Sequence, residues 1–112
     1  MMINNEREQM KQVRQGDVLL VAVETTPKGA QAIPLECGRI VLMHGEVTGH
    51  AHAIAEVSKA KLLDFKAERF LQIAEKTALA HEEHTAIFLE KGTYRQVFQF
   101  EEKREEIKRV TD

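Results

Sequence analysis

Tryptophan is absent from this 112-residue chain, cysteine occurs once, and there are only two prolines. A lone Cys37 excludes an intramolecular disulfide framework, so a reducing compartment, the cytoplasm, is the expected location. Charge of one sign is also missing: 16 Lys+Arg stand against 18 Asp+Glu, for a net charge of -2. That balance removes any general electrostatic attraction to nucleic acid or an anionic membrane, and neither is expected as a partner. No long hydrophobic run exists. The longest, Val18 to Val23, has six residues, far short of the ~20 that span a bilayer. The opening MMINNEREQMKQ is polar where a secretory signal would be apolar. What remains is one domain's worth of chain, 43% hydrophobic and 30% charged, the balance of an ordinary globular protein.

The pattern along that chain is mainly β. Gln15-Gly16-Asp17 is a turn signal, and VLLVAVE (18–24) reads as a strand buried on both faces, with a short buried helix as the alternative. Both prolines and two glycines fall within 25–38, which marks an irregular loop. RIVLM (39–43) is β-prone and His44-Gly45 can turn the chain. In HAHAIAEV (50–57), alternation puts Ala51, Ala53, Ala55 and Val57 on one face and His50, His52, Ile54 and Glu56 on the other. KLLDF (61–65) and RFLQIAE (69–75) read as a hairpin, with a helix over 58–76 as the competing reading. AIFLE (86–90) and TYRQVFQFE (93–101) flank Lys91-Gly92 and predict a second hairpin. The expected architecture is a small single-domain β barrel or sandwich over 15–101. A polar N-terminal arm or short helix (1–14) precedes it, and a charged segment (102–112), helix or strand, follows.

Four of the five histidines fall in two clusters, His50-Ala51-His52 and His81-Glu82-Glu83-His84. On a strand, His50 and His52 point the same way, with Glu56 further along that face. His81 and His84 can converge if HEEH forms a helical turn or tight loop. Two such pairs supply the three or four nitrogen ligands that a divalent ion such as zinc, iron, nickel or manganese accepts, with Glu56 as a further candidate ligand. Glu82 or Glu83 could orient an imidazole or act as a base toward bound water. The same histidines could instead be structural, paired by hydrogen bonds or packed at a subunit interface, or could serve acid–base chemistry without a metal.

Several catalytic signatures fail. A histidine triad would need a third alternating His where Ile54 stands. HEEH spaces its histidines three apart, which excludes the HExxH zincin helix. No phosphate-binding loop is present, and Ser58, the only serine, lies in no nucleophile elbow. Cys37 has no neighbouring histidine in sequence to activate it. The roles of Cys37 and His44 stay open.

Two resemblances are visible. His50-Ala51-His52 followed by Glu56 is similar to the HxHxxxE core of the first cupin motif, which implies a cupin-like barrel with His50, His52, Glu56 and His81 or His84 as ligands. The second cupin motif is not recognisable. More broadly, QGDVLL (15–20), GEVTGHAHAI (45–54), HEEH (81–84), GTYR (92–95) and the terminal IKRVTD (107–112) resemble a small bacterial protein family of unassigned function. That resemblance implies that His50, His52, His81 and His84 belong to one pattern. The chain departs from it by lacking a proline before the final segment.

Three functions follow as expectations. The first is a metal-binding module holding a divalent cofactor. The second is a metal-assisted enzyme on the same site, and the third is a non-catalytic, self-assembling structural protein, phage-derived or filament-forming. A homo-oligomer is expected, with Ile3, Met10 and Val13 docking the N-terminal arm on a neighbour. The interleaved charges of EEKREEIKR (101–109) suit a solvated tail or such an assembly.

Overall fold

The computed structural model describes residues 11–98; the terminal segments 1–10 and 99–112, on which the arm and charged-tail expectations mostly rest, lie outside the described residues. The described residues contain ten strands and one 3-10 turn, joined by loops. They are β1 (Gln12–Gln15), β2 (Val18–Val23), β3 (Gln31–Ala32), β4 (Ile40–His44), β5 (Ala51–Ile54), β6 (Ala60–Phe65), β7 (Glu68–Ile73), β8 (Thr77–Leu79), β9 (Ile87–Leu89) and β10 (Gly92–Val97). The 3-10 turn, Val57–Lys59, enters β6.

The larger sheet is six-stranded and antiparallel, in the order β1-β2-β10-β7-β6-β3. Against it lie two hairpins, β4-β5 and β8-β9, linked through a bridge between Ala53 and Ala80. The arrangement is a sandwich-like mainly-β domain and not a closed barrel. The central strands carry apolar side chains that are buried between the layers. Val18, Leu20, Leu62, Leu71, Ile73 and Tyr94 of the large sheet meet Ile40, Leu42, Ile54, Leu79 and Leu89 of the hairpins in one cluster.

Polar side chains also tie the layers. The β4-β5 register shifts between Val41 and Met43, so Leu42 bulges out of the ladder. Its carbonyl accepts instead from Gln96 Nε2 at 3.0 Å and Arg69 Nη1 at 3.2 Å, both on the large sheet.

Most expected elements are present. The 61–65/69–75 hairpin forms, turning through Lys66 and Ala67, both with positive φ, and the helix over 58–76 does not. The turn at Gly16-Asp17 joins β1 to β2, with Gln15 paired to Val18. Within the 25–38 loop, β3 adds a two-residue edge strand, and Cys37-Gly38 forms a tight turn between Glu36 and Arg39. One expectation is corrected: β9 and β10 do not form a hairpin. β10 is already flanked by β2 and β7, so it has no free edge, and β9 pairs with β8 in the other layer. The chain crosses between layers at Gly92, φ 150°, and Tyr94 Oη donates to the Glu90 carbonyl across that crossing at 2.9 Å.

Leu71 is fully buried at the centre of the core, whereas Phe88 on β9 is 63% exposed. Leu71→Ala is expected to cost about 2–5 kcal/mol, and Phe88→Ala less than about 1 kcal/mol. Urea denaturation of both variants checks the contrast; equal losses would contradict the assigned core.

Candidate functional site

The two histidine clusters meet. β5 delivers His52, with His50 just before it, and the segment that leaves β8 delivers His81 and His84. The ring centroids of His52 and His81 are 4.2 Å apart, those of His81 and His84 4.8 Å, and those of His52 and His84 5.7 Å. His50 stands edge-on to His81 at 6.1 Å. The bridge between Ala53 and Ala80, with paired backbone bonds of 2.9 Å, places β5 beside the entry to HEEH. All four rings line one cavity of ≈ 280 Å³, together with Gly16, Asp17, Met43, His44, Gly45, Glu46, Val47 and Glu83.

Each ring is held differently. His52 is buried, and its Nδ1 lies 2.7 Å from Gln15 Oε1. Gln15 is itself buried, and its amide nitrogen donates to the carbonyls of Leu79 at 2.8 Å and Thr85 at 3.0 Å. Those two bonds fix the orientation of the amide, so its oxygen can only accept, and His52 carries its proton on Nδ1. The Nε2 lone pair of His52 is thereby left uncommitted on a ring that faces the cavity. Burial is the main cause that lowers the His52 pKa from 6.5 to about 4, reinforced by His81 and His84 and opposed by Asp17 and Glu82. At neutral pH this imidazole is therefore uncharged.

His50 Nδ1 is buried without a hydrogen-bond partner. Glu83 Oε2 lies 3.1 Å away, within ion-pair distance but without forming a hydrogen bond. His81 Nδ1 accepts from the backbone N–H of Glu83 at 2.9 Å. The exposed His84 contacts the His52 and His81 rings and, among the described residues, makes no such bond. Glu82 fastens the HEEH segment to β5 by accepting from the Ala51 N–H at 2.9 Å, and that bond is the leading cause that lowers its pKa.

Glu56 is not brought to this cluster. β5 ends at Ile54 and the chain bends at Ala55, which breaks the alternation that would have kept Glu56 on the histidine face. Its carboxylate instead accepts from Thr77 Oγ1 at 2.6 Å and pairs with Lys59 at 3.2 Å; the Thr77 bond is the main cause that lowers its pKa. The HxHxxxE arrangement of the first cupin motif is therefore not assembled. His44 lines the cavity, but its Nε2 lies 2.8 Å from Glu36 Oε1.

Sequence reasoning missed Gln15 and two glycines. A Cβ on Gly16 would fall 2.7 Å from His84 Nε2 and 3.1 Å from His52 Cε1, at a φ of +58° that already favours glycine. A Cβ on Gly45 would fall 3.2 Å from both His50 Cβ and His81 Nε2. The only available signal was the Gln-Gly-Asp turn, which placed Gln15 beside a bend without saying what it faces.

Among the described residues, no group of three or more His, Cys, Asp or Glu side chains stands converged to hold an ion. None of their helices is long and apolar enough to cross a membrane. The sequence pattern of a family described as a domain of unknown function, DUF8820, matches residues 14–99. No curated protein and no solved structure matches the chain.

The state of His52 makes stability depend on pH. The unfolded chain takes up a proton near the ordinary value of 6.5, while native His52 resists protonation until about 4. Its contribution is therefore complete above about pH 6.5 and lost as pH falls toward about 4. Thermal melts of metal-free protein across that window should fall more steeply than those of His52→Gln. Parallel slopes would contradict a buried, neutral His52.

Proposed function

The chain belongs to the DUF8820 family, whose function is unassigned, and from its own residues we propose that the histidine cavity binds a divalent metal ion. The observation that carries this reading is the Gln15–His52 hydrogen bond. Metal-binding histidines commonly donate their second ring nitrogen to a fixed acceptor, which sets the tautomer and aims the lone pair. Gln15 provides that acceptor, and burial keeps His52 uncharged, as a ligand must be.

His52 is the anchor of the proposed site. His50 offers a buried nitrogen with no hydrogen-bond partner, which an ion would satisfy. His84 is exposed and, among the described residues, held only by ring contacts. Because the donors are not converged, binding requires His50 and His84 to turn toward the His52 lone pair. An off-rotamer side chain costs on the order of 1 kcal/mol, whereas structural zinc contributes roughly 10 kcal/mol or more in small domains, so the rearrangement is energetically minor. Imidazole donors suit zinc, nickel or iron better than magnesium or calcium. The cavity lining supports a cation: Asp17, Glu46 and Glu83 contribute carboxylates, and no Lys or Arg is among the lining residues.

Elemental analysis of untagged protein should find near-stoichiometric metal, lost in a His50→Ala/His52→Ala double variant that still folds. Gln15→Ala should retain the ligands yet bind about 10–100-fold more weakly. Chelation should lower the melting temperature of the parent protein, because an ion that binds only the native state stabilises it by RT ln(1 + [L]/Kd). Folded parent protein that takes up no zinc, nickel or iron would overturn the reading.

A further inference from the structure

A second cavity, of ≈ 460 Å³, lies where β6 and β10 begin and β7 ends, and it shares no residue with the histidine cavity. Strand register gathers its polar part. Lys61 stands opposite Gln72, and Gln72 opposite Thr93, so the three side chains form one row on one face of the large sheet. Gln72 Nε2 is held by donating to Thr26 Oγ1 at 2.8 Å. In the next row Ala60, Ile73 and Gly92 are opposite one another. A Cβ on Gly92 would meet no atom within 4 Å, so this row leaves room that a larger residue would fill. Ala74 and the exposed Val57 extend the apolar lining.

The charge of this lining is the reverse of the histidine cavity's. Lys61 and Lys91 contribute ammonium groups, and no Asp or Glu is among the lining residues. Carboxylates close by in the chain engage other lysines. Glu56 and Glu75 pair with Lys59 at 3.2 and 3.9 Å, and Glu90, the neighbour of Lys91, pairs with Lys76 at 3.7 Å. Among the described residues, no ion pair engages Lys61 or Lys91. Two uncompensated cations thus border an apolar recess in a chain of net charge -2. Their flexible four-carbon stems let both reach one anionic group.

We propose that this cavity binds a small amphiphilic carboxylate, with its head between Lys61 and Lys91 and its aliphatic body against Ala60, Ile73, Ala74 and Val57. The volume falls in the range of about 300–1,000 Å³ usual for small-molecule sites, which are mostly apolar with a few placed polar groups. Both halves of the ligand are needed. An exposed ion pair alone contributes little in water, and burial of the aliphatic body adds the larger share. A neutral ligand of the same shape forfeits the lysines.

Octanoate titrated into nitrogen-15-labelled parent protein, followed by amide chemical shifts, tests this directly. Saturable shifts are expected at Lys61, Gln72, Gly92 and Thr93, with Gly45 and His52 unmoved. Lys61→Gln and Lys91→Gln, both at exposed positions, should each weaken octanoate binding about threefold to fivefold, the scale of one exposed ion pair. The two together should weaken it about tenfold, while Lys61→Arg should bind like the parent. Octanol, which lacks the charge, and acetate, which lacks the body, should each bind about tenfold or more weakly than octanoate. Absence of shifts at millimolar octanoate would overturn the proposal, as would shifts centred on the histidine cavity or on Phe88. Equal affinity for octanol and octanoate, or unchanged octanoate affinity in the double lysine variant, would also overturn it. None of these outcomes bears on the metal site.

Discussion

The buried side chain of Gln15 is the junction on which the site depends. It sits at the end of β1 in the large sheet, yet all three of its hydrogen bonds cross to the other layer: to the carbonyls of Leu79 and Thr85 and to His52 Nδ1. A buried amide left unpaired is costly, so satisfying both ends of this one fixes where β8 leaves the core and where HEEH ends. The same bonds set the proton on His52. Packing of the two layers and chemistry of the cavity are thus coupled through one side chain, and Gly16, the next residue, keeps the adjacent space clear for two imidazoles.

A second constraint acts through the HEEH segment. Glu82 accepts from the Ala51 N–H and Glu83 donates its backbone N–H to His81, so each glutamate does local work. The charge run resembles a solvated loop, but it clasps the strand that carries His52 and follows His50. The short bridge between Ala53 and Ala80 completes the attachment. The small alanines of β5 allow this close approach, with Ala51 and Ala53 buried against Val41.

Much of the fold was legible from periodicity and turn residues. Val18–Val23, Ile40–His44 and the Ala60–Phe65/Glu68–Ile73 hairpin are strands as favoured, although pattern alone left a helix open for the first and the last. What stayed hidden was pairing. Lys91-Gly92 has the composition of a hairpin turn, but turn composition cannot show that both edges of β10 are taken by β2 and β7. β8 escaped notice because three residues, Thr77–Leu79, are too few to establish a period. Of the candidate ligands, the four clustered histidines line one cavity because the bridge between Ala53 and Ala80 holds β5 beside the entry to HEEH. Glu56 does not join them, since period-2 reasoning holds only while the strand lasts, and β5 stops at Ile54. Gln15 was invisible as a site residue because nothing in its local sequence reports a partner 37 residues away.

The central claim is that this cavity holds an ion through the lone pair that Gln15 leaves on His52. X-ray absorption at the zinc edge of the zinc-loaded protein examines that bond itself. The account predicts imidazole scattering from His52 and at least one further histidine, with zinc–nitrogen distances of about 2.0–2.1 Å, and loss of that signature in His52→Ala. A zinc shell of oxygen ligands alone, or an imidazole signature unchanged by His52→Ala, would contradict it.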